Sequence, residues 1–496
     1  MPTPAEIRTR SGSIEGALDG GIYRFFGIPY AAPPTGHGRW RAPRRETAWA
    51  GSRPACDFGP ACFQAARPGR NLRAAATGED CLYLNVWTRT LSPDARQPVM
   101  VWLHGGGYLG GAGSEPEWDG SAFAAAGVVL VTLNYRLHVF GYLAHPAVGG
   151  NFGVLDQLAA LAWVKAHAAA FGGDPDNVTL FGESAGADAT RKLMGCPAAD
   201  GLFHKAILQS GGYADPVKGG RGAMTTVRAS AAAERLLEAL GCADFDAARG
   251  LPAADVWQAA DRLSGIDLAG RIATPGDLLW VPALDDDLLP QDLAPRGGRP
   301  LLMGYNDNEA RYFIRPGRRY GEDALDGLLE VLCGPGATAI AGLLDRRDGE
   351  AIYASLDRLF TTTLFAEPAF EAGLERNAAG LPTFLYRFSR VSPGRRADGL
   401  LAVHTAEIPY VFATLPGDDS MADADWDLSA AMLTAWVAFA RDGRPTASES
   451  PWPAFSASRP ALARFDDGMR IEPFEETPLF RAVRALRRVP ACPAPA

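Results

Sequence analysis

The sequence predicts an α/β protein with a mostly parallel central sheet, helices on both faces and a helical insertion over the active site. Three observations carry that expectation. Short, uninterrupted aliphatic and β-branched runs recur along the chain, as expected of strands buried on both faces. Helix-length stretches separate them, the alternation that makes parallel crossovers. At 496 residues, 47% hydrophobic and 21% charged, the chain can bury a large core, which excludes a disordered chain, a coiled coil and a disulfide-stapled miniprotein.

The elements follow in order. Residues 99–104 (VMVWLH) and 128–134 (VVLVTLN) read as buried strands. Residues 155–167 have the apolar spacing of a helix, stopped by Gly172-Gly173-Asp174-Pro175. Residues 178–182 (VTLFG), 206–209, 300–304 and 383–388 read as further strands. The stretch from about 215 to 293 is Ala-rich, helical in pattern and poor in strands, the expected insertion.

With 57 acidic against 48 basic residues the formal charge is −9, which argues against a nucleic-acid partner. Only four of the basic residues are lysine (Lys165, Lys192, Lys205, Lys218), a coding bias that suggests a bacterial source. The first eight residues hold no signal-like apolar stretch, and the longest uncharged apolar run, 122–133, is 12 residues. That is short of the roughly 18–20 that span a bilayer, so a cytoplasmic protein without a membrane partner is expected. The seven cysteines (56, 62, 81, 196, 242, 333, 492) show no CxxC spacing, so no metal is expected. No cofactor motif is present either.

Gly182-Glu183-Ser184-Ala185-Gly186 fits G-x-S-x-G between a strand and a helical stretch. The sharp turn strains the serine backbone and leaves no room for side chains at the two glycines, which holds Oγ above the sheet edge. A serine hydroxyl needs a base. The expected chain order is Ser, acid, His, which removes the histidines before Ser184. His204 lies only 20 positions on and reads as a packing residue, so elimination leaves His404. An anion must orient the imidazole. Asp307 and Glu309 follow the strand at 300–304, and Asp285, Asp286 and Asp287 are rivals on position alone.

His104-Gly105-Gly106-Gly107-Tyr108 ends the strand at 99–104, and its glycines let backbone N–H groups face a substrate. With the amide of Ala185, Gly106 and Gly107 would supply three donors to a tetrahedral oxyanion. The run lacks the lysine of a phosphate loop and the dinucleotide-binding spacing.

Longer stretches carry a resemblance. Phe26-Gly-Ile-Pro-Tyr-Ala-Ala-Pro-Pro34, Glu79-Asp-Cys-Leu-Tyr-Leu-Asn-Val-Trp87, Asn134-Tyr-Arg-Leu137, Asn151-Phe-Gly153 and Phe171-Gly-Gly-Asp-Pro175 lead to the Ser184 pentapeptide. Together they resemble the type-B carboxylesterases, the α/β-hydrolase group that includes para-nitrobenzyl esterases, carboxylesterases and cholinesterases. The resemblance covers nearly the whole chain and implies a single domain, 1–496, in place of the roughly three that length alone suggests. It selects Glu309 as the acid, although the family's usual Asp-Glu-Gly is here Asn308-Glu309-Ala310. It also implies a Cys62–Cys81 disulfide and a supporting role for Ser210 near the acid.

The implied activity is hydrolysis of a small-molecule ester through an acyl-enzyme, with Ser184, Glu309 and His404 as the triad. The same triad would serve amide or carbamate bonds, and the fold also hosts non-catalytic binding proteins. Tyr108, Glu183 and Asp188 are candidate pocket residues. Asp188, Arg191 and Lys192 depart from the small residues usual after the elbow, either as a salt-bridged cluster or as a polar wall of the pocket. Activity should fall on the acid side with a midpoint near or below about pH 6.5–7. Monomer and dimer remain equally open.

Overall fold

The computed structural model describes residues 3–66, 72–74, 76–212, 224–264, 272–291, 296–446 and 451–487. Its strands begin with β1 (Thr3–Arg8), β2 (Ser13–Asp19), β3 (Ile22–Pro29), β4 (Ser52–Pro54), β5 (Ala61–Cys62), β6 (Thr77–Gly78), β7 (Tyr83–Thr88) and β8 (Gln97–Leu103). They continue with β9 (Val129–Leu133), β10 (Gly173–Glu183), β11 (Lys205–Gln209), β12 (Leu301–Asn306), β13 (Thr383–Phe388), β14 (Ala461–Phe465) and β15 (Met469–Pro473).

One sheet runs in the order β1-β2-β3-β7-β9-β8-β10-β11-β12-β13-β14-β15, with β4 beside β2. From β9 to β14 every neighbour is parallel, as the continuous apolar runs predict. The hairpins β1–β2, β2–β3 and β14–β15 are antiparallel because their connections are too short for a crossover, and β7 is antiparallel to both β3 and β9. Between β2 and β3 only Gly20 and Gly21 intervene, at φ 58° and 81°, the two left-handed positions of a tight hairpin.

Strand β8 shows why its sequence lacks alternation. Val99, Val101 and Leu103 enter one buried cluster while Met100 and Trp102 enter another. The helix Phe152–His167 covers the first face with Leu158, Leu161 and Val164. The helix Asp423–Asp442 covers the second with Leu428, Met432, Trp436 and Phe439.

The helical insertion is present as Thr226–Leu240, Phe245–Arg249 and Ala253–Ser264. Positions 215 and 293, its expected ends, and Lys218 and Cys492 lie outside the described residues. Thr225 and Asp244 cap the first two helices by accepting from Arg228 N and Ala247 N. A second helical block, not anticipated from sequence, contains Glu322–Cys333, Gly349–Thr361 and Glu367–Ala378, the last two joined by a π-turn at Thr362–Ala366. By length and composition alone, the stretch Glu322–Ala341 is apolar enough to cross a membrane, a longer candidate than the sequence scan at 122–133. In the fold a short turn at Gly334–Gly336 interrupts it, and Leu325, Leu328, Leu329, Leu332 and Ile340 are buried.

A buried ion pair joins the loop after β9 to the helix that follows. Arg136 donates from Nε and an Nη to the two oxygens of Asp156, each at 2.7 Å, with side chains 3% and 0% exposed. Asp156→Ala should strand the guanidinium in the core and cost about 3–5 kcal/mol, read as a lowered thermal midpoint against wild type.

Candidate active site

Strand β10 ends at Glu183 and the helix Ala185–Gly195 begins two residues later, so Ser184 makes the turn alone, at φ 54° and ψ −121°. Space explains the glycines around it. A Cβ at Gly186 would lie 1.9 Å from the Leu103 carbonyl oxygen, and one at Gly182 would lie 2.5 Å from the Gly186 backbone. A Cβ at Gly105 would meet Glu183 Oε2 at 2.5 Å and Ser184 Cβ at 3.2 Å. The glycine loop after β8 therefore lies directly against the serine turn. Ser184 N donates to Gln209 O at 2.9 Å, which fixes the turn to β11.

His404 and Glu309 come together across 95 positions, with His404 Nδ1 2.6 Å from Glu309 Oε2. Asn306 N donates to the other carboxylate oxygen at 2.7 Å, so both oxygens are held. His404 Nε2 lies 3.0 Å from Glu183 Oε1, on the side of the serine turn. Burial by itself would lower the histidine pKa, but the charges of Glu183 and Glu309 outweigh it and raise it to about 9. The direction runs against the sequence expectation of a midpoint near or below about 6.5–7, because Glu183 faces the imidazole as a second buried carboxylate beside the expected Glu309.

The other acids are engaged elsewhere. Asp307 pairs with Arg387, and Asp285 accepts from Leu288 N, Leu289 N and Asn151 Nδ2. Asp286 and Asp287 are exposed in the same turn. His204 accepts from Val178 N at 3.1 Å, the packing role expected of it.

After β8 the chain turns through Gly106, Gly107 and Tyr108 at φ 115°, 66° and 61°. Among the described residues, a Cβ at Gly107 would meet nothing closer than Leu278 Cδ1 at 3.9 Å. His104 stacks on Tyr135 at 4.5 Å, and the Tyr135 hydroxyl donates to His104 O at 2.7 Å. That pair anchors the base of the glycine loop. Ala185 opens its helix, where the N–H has no intrahelical acceptor.

The profile of the carboxylesterase family matches residues 3–328 and 336–479. The chain is 36% identical to the para-nitrobenzyl esterase of Bacillus subtilis (strain 168), over 94% of this chain and 96% of that one. It is 38% identical to the fumonisin B1 esterase of Sphingopyxis macrogoltabida, over 90% and 84%. A solved structure of a PNB esterase superposes with a TM-score of 0.83 at 35% identity, covering 97% of this chain and all of that one. The chain belongs to the carboxylesterase family. Its fold is the α/β-hydrolase fold and the protein is a carboxylesterase.

Beneath the site of this carboxylesterase lies a polar layer that sequence reasoning missed. Glu407 is fully buried, accepting from Gln209 Nε2 at 3.0 Å and Asn306 Nδ2 at 2.6 Å. Trp436 Nε1 donates to Gln209 Oε1 at 3.1 Å. Burial and the nearby Glu309 charge push the Glu407 carboxyl up. Glu407 stands in the histidine segment of the sequence, but nothing local marks it as buried. Ser210, at φ 49°, is buried and its N–H donates to Gly304 O at 2.9 Å, placing it between the serine turn and the acid strand.

Above His404 stand three aromatic rings, also unanticipated. Tyr312, Phe313 and Phe365 lie 5.6, 5.4 and 5.6 Å from the imidazole centroid, the last presented by the π-turn. Tyr312 and Phe313 remain 51% and 38% exposed, so they form a rim. Asp188 accepts from Tyr108 Oη at 2.6 Å and from Lys192 Nζ at 2.5 Å. The salt-bridged cluster is thus the arrangement present at Asp188. Burial, then the Asp188 charge, raises the Tyr108 pKa. Cys62 and Cys81 are paired, their Cα atoms 4.9 Å apart. A Gly186→Ala substitution should drive the elbow helix off Leu103 and lower kcat by about 10²-fold or more, the scale of an ångström-level misplacement, measured against a chromogenic ester.

Proposed function

We propose that the protein hydrolyses carboxylic esters through an acyl-enzyme formed on Ser184. His404 takes the serine proton through Nε2 as Oγ attacks the ester carbonyl, and Glu309 holds Nδ1–H and stabilises the imidazolium. The amides of Gly106, Gly107 and Ala185 receive the oxyanion of the tetrahedral intermediate. His404 then gives its proton to the leaving alcohol, and water releases the acyl group by the same steps in reverse. The observation that carries the reading is the 2.6 Å Glu309–His404 contact, with His404 Nε2 3.0 Å from Glu183, the residue before a serine held at φ 54° on a strand-to-helix turn.

The aromatic rim next to His404 is where a leaving alcohol would depart, and Tyr312 and Phe313 offer it apolar ring faces. Esters of aromatic or other apolar alcohols fit that surface best. The names of the Bacillus and Sphingopyxis relatives, a para-nitrobenzyl esterase and a fumonisin B1 esterase, agree with ester substrates.

Ser184→Ala should lose about 10⁴-fold or more in kcat, by the scale of other triads; near-full turnover of a short-chain chromogenic ester would end the assignment. Glu309→Gln should cripple turnover while Asp307→Asn leaves it near wild type, since Asp307 is bound to Arg387; the opposite result would move the acid's role to Asp307. The base must be neutral to act, and its raised pKa means that it binds a proton at a higher pH than an ordinary histidine. The acid limb of kcat/KM should therefore lie above about 6.5, and Glu183→Gln should move it down. A limb at or below the ordinary histidine value in wild type would show that the carboxylates do not act as described.

A further inference from the structure

The turn bearing Glu309 is held from outside by groups that the proton transfers do not use. Asp357, in the helix Gly349–Thr361, is 2% exposed. Its Oδ2 accepts from Asn308 Nδ2 and from Arg311 Nε, each at 2.8 Å. Arg311 reaches further, donating from an Nη to the carbonyl of Gly399 at 2.6 Å, and its guanidinium lies 5.1 Å from the Tyr353 ring centroid. Gly399 belongs to the loop that leads into His404. In that same loop Ala402 O accepts from Asn308 N at 2.9 Å. Glu309 sits between Asn308 and Arg311, so both flanks of the acid are tied to one buried carboxylate, and one tie continues to the histidine loop.

This arrangement gives a physical account of the Asn that replaces the family's usual Asp before the acid. An Asp at 308 would put a second carboxylate oxygen where the amide now donates to Asp357 Oδ2, and two carboxylates in contact cannot both ionise. Asn308 and Asp357 are a matched donor and acceptor. The turn Glu309–Tyr312 is a single 3₁₀ turn of four residues, a geometry with few hydrogen bonds of its own. Its position depends on such external ties.

We infer that Arg311 and Asn308 are positioning residues, strapping the Glu309 turn to Asp357 and to the histidine loop so that the carboxylate meets His404 Nδ1. The inference rests on the reading of Glu309 as the triad acid. It extends that reading to two residues on either side of Glu309 that bind Asp357.

The test compares wild type with Arg311→Met, Asn308→Asp, the swapped pair Asn308→Asp/Asp357→Asn, and Glu309→Gln, using a chromogenic ester and with folding checked by near-UV circular dichroism. Arg311→Met and Asn308→Asp should each lower kcat by about 10-fold or more, with KM within about 3-fold of wild type. The swap restores one amide facing one carboxylate but removes the Asp357 charge that Arg311 holds, so it should regain only part of the kcat lost in Asn308→Asp, by about 3-fold, a rescue that a loss of packing would not show. Wild-type kcat in both single variants, with Glu309→Gln inactive, overturns the strap and leaves the acid assignment standing. A swap no better than Asn308→Asp alone also overturns it. An active Glu309→Gln overturns the acid reading and the strap with it. Should Asn308→Asp fail to fold, Arg311→Met decides by the same kcat and KM criterion.

Discussion

Two backbones approach at the serine turn to a distance that only glycine permits, and the site is built outward from that contact. Gly182 pairs with Leu103 between the parallel strands β10 and β8, and Gly186 leaves the Leu103 carbonyl just enough room for the next helix to begin there. Because the helix starts so close to β8, its first N–H and the glycine loop after β8 face the same volume. The positive φ of Ser184 follows from the same closure, since the chain must reverse within one residue. Gln209 O, accepting from Ser184 N, then carries the alignment into β11, and Ser210 N carries it to β12 and the acid.

Three carboxylates dominate the electrostatics around His404. Glu183, Glu309 and Glu407 are all buried around one imidazole. The arrangement favours the imidazolium, because fixed carboxylates in a dry site stabilise that charge more than water would. Burial and repulsion from Glu309 in turn push the Glu407 carboxyl up.

Much of the fold was legible because buried parallel strands are written locally. The run at 99–104 appears as β8, and both of its faces are covered by separate apolar clusters. The run at 383–388 was matched in full by β13. The helical block after β12 was not anticipated, because its amphipathic helices bury apolar stripes against one another and no motif announces them. The aromatic rim shows the same limit. Tyr312 and Phe313 stand three and four residues past Glu309, yet only the packing of the acid turn and the π-turn turns those rings toward His404.

By itself the sequence determined the chemistry available to this protein: a serine in a glycine-flanked turn, a glycine-rich loop after a strand, one histidine left by elimination, and a net charge of −9 with no basic footprint. Those are properties of short windows, where backbone sterics and residue type act together. The resemblance selected Glu309, but the second carboxylate at the imidazole, how strongly that imidazole holds its proton, the Tyr108 partner of Asp188 and what Asp357 binds were decided only by the tertiary structure. Each of those rests on groups far apart in the chain, or on burial, and the strength of a charge interaction depends on distance and on the exclusion of water. Neither quantity is written in the spacing of residues.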